Sequence, residues 1–213
     1  MERFRYIVIE GPIGVGKTSL ARLLANEFGA RLILESPDDN PFLPAFYRDR
    51  RKYAFQTQIY FLLSRYKQQS ELHQQDLFNQ VTICDYLFAR DRIFAYVNLD
   101  EHETALYEQI FRLLNAQVVK PDLVVYLQAD PAVLLGRIRD RDKEYERAVT
   151  SDYLEELTRA YNEFFFHYNE TPLLVVNTSA IDFVKNAADL GNLVKEIRGM
   201  KKGTQYYVPL GSR

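Results

Sequence analysis

Residues 11–18 read Gly-Pro-Ile-Gly-Val-Gly-Lys-Thr, a complete G-x-x-x-x-G-K-[ST] run. No other stretch narrows the possible folds so far. The pattern predicts a loop, Gly11, Pro12, Ile13, Gly14, Val15 and Gly16, whose backbone N–H groups cradle a nucleotide's phosphates before the chain enters a helix through Lys17, Thr18 and Ser19. Lys17 would reach the outer phosphates, and the Thr18 hydroxyl would ligate Mg²⁺, whose preference is for hard oxygen ligands. The flanks agree. Arg5–Glu10 (RYIVIE) is a short apolar run of strand type. Ser19–Phe28 predicts a helix with Leu20, Leu23, Leu24 and Phe28 on one face and Gly29 as its stop. Strand, glycine loop and helix in that order aim the positive end of a helix dipole at the anion.

Further strand-like runs lie at Arg31–Glu35, Val81–Asp85, Leu123–Gln128 and Leu173–Asn177, with long helical patterns between them. This alternation predicts an α/β fold, a P-loop three-layer sandwich in which helices cover both faces of a five-stranded parallel sheet. Pro121-Asp122 and Thr171-Pro172 introduce the last two strands as breaks. No internal repeat or linker divides the chain. Residues 1–198 are expected to form one domain, and residues 199–213 a tail without periodicity, either an ordered extension or frayed.

A chain of 213 residues is long enough for one full core, and its net charge of −2 creates no field that would recruit nucleic acid or an anionic membrane. The single cysteine, Cys84, excludes an internal disulfide framework and fits a reducing cytosol. No signal pattern opens the chain, and no apolar run approaches the ~20 residues of a membrane helix. A cytoplasmic protein without nucleic-acid or membrane partners is expected. The three histidines, His73, His102 and His167, lack metal-ligand spacing and read as structural or surface groups.

In open α/β sheets ligands sit beyond the carboxyl ends of the strands. Here those ends carry the glycine loop, Glu35, Asp85, an arginine-rich helix, and Asn177 with Asp182-Phe183. Glu35, followed by Ser36-Pro37, is a candidate general base for a hydroxyl attacking a γ-phosphate, or else an exposed strand-end carboxylate. Asp85 has the setting of a second magnesium-binding carboxylate, a role compatible with capping the next helix. Arg137 and Arg141 share a helix face and could close over phosphates and stabilise transition-state charge, whereas Arg139, among Asp140, Asp142 and Glu144, reads as a solvated position. Along Tyr53–Gln69, Gln58, Leu62 and Arg65 form one stripe. Its amide and guanidinium could read a heterocyclic base edge-on, or could equally be polar surface on a core helix.

Taken together these segments resemble the deoxynucleoside kinase family. The closest likeness is to bacterial members, through ESPDDNPFLPAFY, QIYFLLSRYKQ, KPDLVVYLQADP and FFFHYNETPLLVVNT, and it runs from the glycine loop to about Val184. The resemblance implies a strand order 2-3-1-4-5, a homodimer, and ATP–Mg²⁺-dependent phosphorylation of a deoxyribonucleoside at its 5′-hydroxyl, with a purine deoxynucleoside favoured over deoxycytidine. It places Glu35 as the base at the 5′-hydroxyl, Tyr47 and Glu146 at the 3′-hydroxyl, Gln58 and Arg65 at the base edge and Phe94 stacked on the base. Arg137, Arg141 and Lys143 take the places of three lid cations, the last changed from arginine, and Asp182-Phe183 lies where the adenine of ATP is contacted. The family often carries Asp/Glu-Arg-Ser after the third strand, where this chain has Asp85-Tyr86-Leu87. Arg90, one helical turn on, is the substitute for the missing arginine. The register slips by one residue before Phe94, so Asp91 either faces the base or does not.

Two alternatives make different demands on the sequence. A nucleoside monophosphate kinase such as a thymidylate kinase needs extra cations near Glu35, but that segment, SPDDNPFLP, is acidic. A nucleotide-switched GTPase needs an Asn-Lys-x-Asp signature and an Asp-x-x-Gly switch after a strand, and neither is present.

Overall fold

The computed structural model describes residues 4–74 and 81–209, without the side chains of residues 71–74. Among the described residues six strands form one sheet: β1 (Tyr6–Glu10), β2 (Arg31–Ile33), β3 (Thr82–Cys84), β4 (Leu123–Gln128), β5 (Leu173–Asn177) and β6 (Thr204–Tyr207). Their order is β2-β3-β1-β4-β5-β6 and every pairing is parallel. The connections are α1 (Lys17–Phe28), α2 (Leu43–Arg48), α3 (Arg50–Gln74), α4 (Asp91–Asn98), α5 (Glu101–Asn115), α6 (Pro131–Arg141), α7 (Ser151–Phe166) and α8 (Ala187–Gly199).

Alternating side chains along each strand divide the core in two. Ile7, Ile9, Val125, Leu127, Leu174 and Val176 pack on Leu20 and Leu24 of α1, Leu134 and Ile138 of α6, and Leu193 and Ile197 of α8. Tyr6, Val8, Val124, Tyr126, Leu173 and Val175 pack on Ile93 of α4 and on Leu157, Tyr161 and Phe165 of α7. Strands buried on both faces must be nearly continuous apolar runs, and β1, β4 and β5 are. A third cluster, Leu62, Phe88, Ala95, Tyr107 and Phe111, joins α3, α4 and α5. Helix ends follow their local chemistry. Gly29 closes α1 in the left-handed region at φ 57°, and Asp100 with Glu103 forms a reciprocal capping box that starts α5. No helix among the described residues is long and apolar enough to cross a membrane.

The expected order 2-3-1-4-5 is present, but the count of five strands is corrected to six. Residues 204–207, assigned above to a tail, add β6 alongside β5, with Leu173 opposite Thr204 and Val176 opposite Tyr207. This edge strand has no apolar run. Its side chains alternate between exposed and half-buried, and only Tyr207 packs on the core. The second and third strands are also shorter than expected, so Glu35 and Asp85 lie just beyond their ends.

One position shows how tightly the glycine loop is set into the sheet. Gly11 has φ 151°, and a Cβ there would lie 2.5 Å from the Leu127 carbonyl oxygen on β4. The Leu127 main chain cannot give way, and Cγ1 of the buried Val15 would lie 2.9 Å from the same Cβ. Gly11→Ala combines backbone strain with overpacking, each worth about 1–3 kcal/mol. Urea unfolding is expected to show a loss of roughly 2–5 kcal/mol in stability.

Candidate active site

The chain leaves β1 at Glu10 and enters the glycine loop, and α1 begins at Lys17 with Gly16 as its N-cap at φ 103°. A Cβ on Gly16 would lie 2.9 Å from Cζ of Phe183, so a glycine is what lets the Phe183 ring rest directly on the loop. Lys17 Nζ donates to the carbonyls of Gly11 (2.8 Å) and Pro12 (3.1 Å), folding back along the loop. Burial, followed by the nearby Arg90 guanidinium, lowers its pKa to about 8.

Two cavities open from this loop. One, of about 390 Å³, runs over Val15, Gly16, Ser19, Arg137, Asp182 and Phe183. The other, of about 120 Å³, is walled by Tyr47, Gln58, Phe61, Phe94 and Tyr145, with Glu35, Asp85, Arg90 and Glu146 among its charged groups. They share Gly14, Lys17, Thr18 and Arg141. Arg141 reaches this junction from the last turn of α6, held there by a bidentate pair with Glu146 (Nη2 to Oε1 2.7 Å, Nε to Oε2 3.0 Å).

Beneath the junction lie buried charges. Arg65 of α3 bridges Glu35 and Asp91 through separate η nitrogens. Arg90 donates from Nη2 to Glu35 Oε2 at 2.6 Å, and its Nη1 lies 3.8 Å from Glu10 Oε1. Burial works to raise the Glu35 pKa, but Arg65 and Arg90 outweigh it and bring it down to about 2. Asp85 goes the other way. Burial raises its pKa, against a 2.6 Å hydrogen bond from Thr18 Oγ1 and a 2.8 Å bond from the Glu35 N–H. Neighbouring carboxylates with opposite shifts are a signature of divided roles. Burial also raises the pKa of the Tyr47 phenol, which therefore stays a hydrogen-bond donor at neutral pH.

The geometry sorts the expected residues. Glu35, Tyr47, Gln58, Asp85, Arg90, Phe94 and Glu146 come together at the aromatic cavity, and Gln58 is cavity wall rather than surface. Val15, Gly16, Ser19, Asp182 and Phe183 come together at the loop cavity. Asp85 is not a helix cap, since its oxygens go to Thr18 and to the Glu35 main chain. Arg139 stays off both cavities, as expected. His102 and His167 are surface groups, His167 lying 3.1 Å from Glu163, and the His73 side chain lies outside the described residues.

Several expectations are corrected. Leu62 is turned into the α3–α4–α5 cluster, and Phe61, on the opposite flank of the stripe, lines the cavity instead. Arg65 and Asp91 pair behind the cavity wall, so Asp91 faces Arg65 rather than open cavity. Ile13 lines the aromatic cavity, not the loop cavity, and Gly11 and Pro12 meet Lys17. Arg137 spends both η nitrogens on main chain and hydroxyl, reaching the Val15 carbonyl (3.2 Å), Thr178 Oγ1 (3.2 Å) and the Thr178 carbonyl (2.9 Å). It lines the loop cavity and is at the same time a strut between the loop and residues 178–181. Lys143 lines neither cavity and binds Asp38. Arg90 does not share a helix with Asp85 and comes from the short 3₁₀ turn Phe88–Arg90.

Sequence reading passed over Glu10, Phe46 and Tyr145. Phe46 and Tyr145 line the aromatic cavity. Glu10 is fully buried and accepts from the Gly11 N–H (2.8 Å), the Leu87 N–H (2.7 Å) and the Tyr161 hydroxyl (3.2 Å). Its signal was present as a carboxylate in an apolar strand, one residue before the glycine loop.

A P-loop α/β fold with a second cavity meeting the phosphate loop defines a phosphoryl-transfer enzyme of the nucleotide-dependent kinase class. The chain belongs to the deoxynucleoside kinase family, whose model matches residues 7–201. It is 34% identical over 198 residues to the deoxyguanosine kinase of Bacillus subtilis, covering 91% of this chain and 96% of that one. It is 30% identical over 205 residues to the deoxyadenosine kinase of Lactobacillus acidophilus, covering 90% and 94%. The solved structure of deoxyadenosine kinase from M. mycoides with bound dCTP superposes with a TM-score of 0.77 at 25% identity, over 89% of this chain and 98% of that one.

The lowered pKa of Lys17 sets a pH dependence. A phosphate ligand favours the ammonium form, which Lys17 holds below about pH 8 and loses above it. Triphosphate affinity is therefore expected to fall as pH rises through 8 and to be about tenfold weaker at pH 9 than at pH 7. Isothermal titration at the two pH values measures this directly, and equal affinities would contradict it.

Proposed function

We propose that this enzyme transfers the γ-phosphoryl group of ATP to the 5′-hydroxyl of a deoxyribonucleoside, with ATP over the glycine loop and the nucleoside in the aromatic cavity. The observation that carries the reading is the meeting of the two cavities at Gly14, Lys17, Thr18 and Arg141. Phosphoryl transfer asks for little covalent chemistry from protein. Positioning and electrostatic stabilisation do most of the work, and both are concentrated where donor and acceptor meet.

In this reading the Glu35 carboxylate receives the 5′-hydroxyl proton. A carboxylate held near pKa 2 is a weak base, which suits a loose transition state in which the proton leaves late and the carboxylate chiefly orients the attacking oxygen. Lys17 and Arg141 neutralise charge developing between the cavities. Tyr47 and Glu146 hold the 3′-hydroxyl, Gln58 reads the base, and Phe94 stacks on it. Thr18 Oγ1 and Asp85 Oδ2, hard oxygens 2.6 Å apart, fit Mg²⁺, which takes one or two protein oxygens and completes its shell with phosphate and water. When bound there it would supply positive charge to the phosphate oxygens.

The relatives' names, deoxyguanosine and deoxyadenosine kinase, support a purine deoxynucleoside as acceptor, with deoxycytidine next. Gln58 suits either, since an amide both donates and accepts. A cytoplasmic homodimer belongs to the same reading. Leu63 on α3 and Leu106 and Leu113 on α5 are 49%, 48% and 73% exposed on two helices that pack together.

The direct test is turnover of the four natural deoxynucleosides with ATP and Mg²⁺, expected to favour deoxyguanosine or deoxyadenosine. Glu35→Gln is expected to lower kcat by about 10²–10⁴, the usual worth of such catalysis, and a change within about threefold would overturn the base assignment. Light scattering is expected to give twice the chain mass for the wild type and a single chain mass for Leu113→Glu.

A further inference from the structure

We propose that Lys143 and Asp38 form a latch over the nucleoside cavity, and that this lid cation governs entry and exit of the nucleoside rather than charge on the phosphate donor. The inference rests on the kinase reading above and deepens it. Lys143 Nζ donates to both Asp38 oxygens, at 2.9 and 2.8 Å, and to the Tyr145 hydroxyl at 3.0 Å. The Tyr145 hydroxyl donates in turn to Asp38 Oδ1 at 2.5 Å. Its ring lies stacked on Tyr47, with centroids 5.8 Å apart and planes 18° from parallel. Tyr47, Tyr145 and Pro37 all line the nucleoside cavity. Asp38 sits in the 3₁₀ turn Pro37–Asp39, and Tyr145 in the 3₁₀ turn Glu144–Ala148, so the contact joins two turns that each put a residue, Pro37 and Tyr145, on the cavity wall.

The backbone explains why Lys143 goes there. Asp142 closes α6 in the left-handed region at φ 49°, the one non-glycine residue with positive φ among those described. That turn takes the chain off the helix axis directly after Arg141. Arg141 therefore stays at the junction of the cavities, while Lys143 turns to Asp38 and Tyr145. Glu146 is drawn inward by Arg141 as Tyr145 is drawn outward to Asp38, so the lid turn is held from both sides. The Asp38 and Lys143 side chains are 63% and 31% exposed. Exposed pairs of this kind are individually weak, as a contact that opens on every catalytic cycle must be.

The test is a two-site cycle with Asp38→Ala, Lys143→Met and the double variant, neither site being in the buried core. Steady-state kinetics and stopped-flow nucleoside release are measured on each. Each single variant is expected to raise the nucleoside KM and its dissociation rate about two- to fivefold, with the ATP KM unchanged. Lys143→Met is expected to add nothing in the Asp38→Ala background, because it acts through Asp38. The latch is overturned if Lys143→Met raises the ATP KM, if Asp38→Ala leaves nucleoside release unchanged, or if the two effects add. Failure of the kinase reading looks different, since the wild-type protein would then turn over no deoxynucleoside.

Discussion

Glu35 is held inside the protein by two arginines, and most of the site is arranged around that contact. Arg65 comes from α3 and Arg90 from the turn before α4, while Glu35 follows β2. Asp91 and Glu10 sit behind the arginines, on α4 and at the end of β1. Charges out of water are costly, and burying them is tolerable only when each has a partner with good geometry. Removing one member of such a set leaves another uncompensated and typically costs about 3–5 kcal/mol. The network thus pins four separate elements to one geometry before any substrate arrives. Because the Glu35 pKa is depressed to about 2 from an ordinary 4.5, its contribution to stability is full above the ordinary range and is lost as pH falls toward 2.

The same contact divides labour between neighbouring acids. Glu35, next to two guanidiniums, is ionised at any working pH. Asp85 is raised by burial and bound to Thr18, where an incoming cation would relieve it. Arg137 and Arg141 show a similar division on one helix. Arg137 ties the loop to residues 178–181 through main-chain carbonyls, and Arg141, one turn later, stands where the cavities meet. The loop and the buried charges are fixed by packing, whereas the 3₁₀ turn Glu144–Ala148 is held in part by ion pairs that water reaches.

The sheet was readable because a parallel strand buried on both faces must be an apolar run, and β4 and β5 begin and end where those runs do. The edge strand β6 was not, because a half-exposed edge needs no such run and its identity comes from pairing with β5. The stripe on α3 brought Gln58 to the cavity, but helical period cannot decide which flank meets α5. Leu62 went to that neighbour and Phe61 to the cavity. The third lid cation that the resemblance implied, Lys143, lies past the left-handed residue Asp142 that ends α6, and its ammonium pairs with Asp38. Glu10 was passed over because strand reading counts apolar neighbours and gives no weight to the carboxylate that follows them.

The sequence by itself determined the class of chemistry. A glycine loop between a strand and a helix can do little but hold phosphate, and its neighbours placed Glu35 and Asp85 at the same sheet edge. Only the tertiary structure decided which charges face which. Arg65, Arg90, Glu10 and Asp91 are far from Glu35 along the chain, and their pairing depends on how α3 and α4 pack over the sheet. Local pattern specifies an element and its faces, but a buried charge takes its partner from whatever the fold brings within hydrogen-bonding reach, because inside the protein there is no water to serve instead.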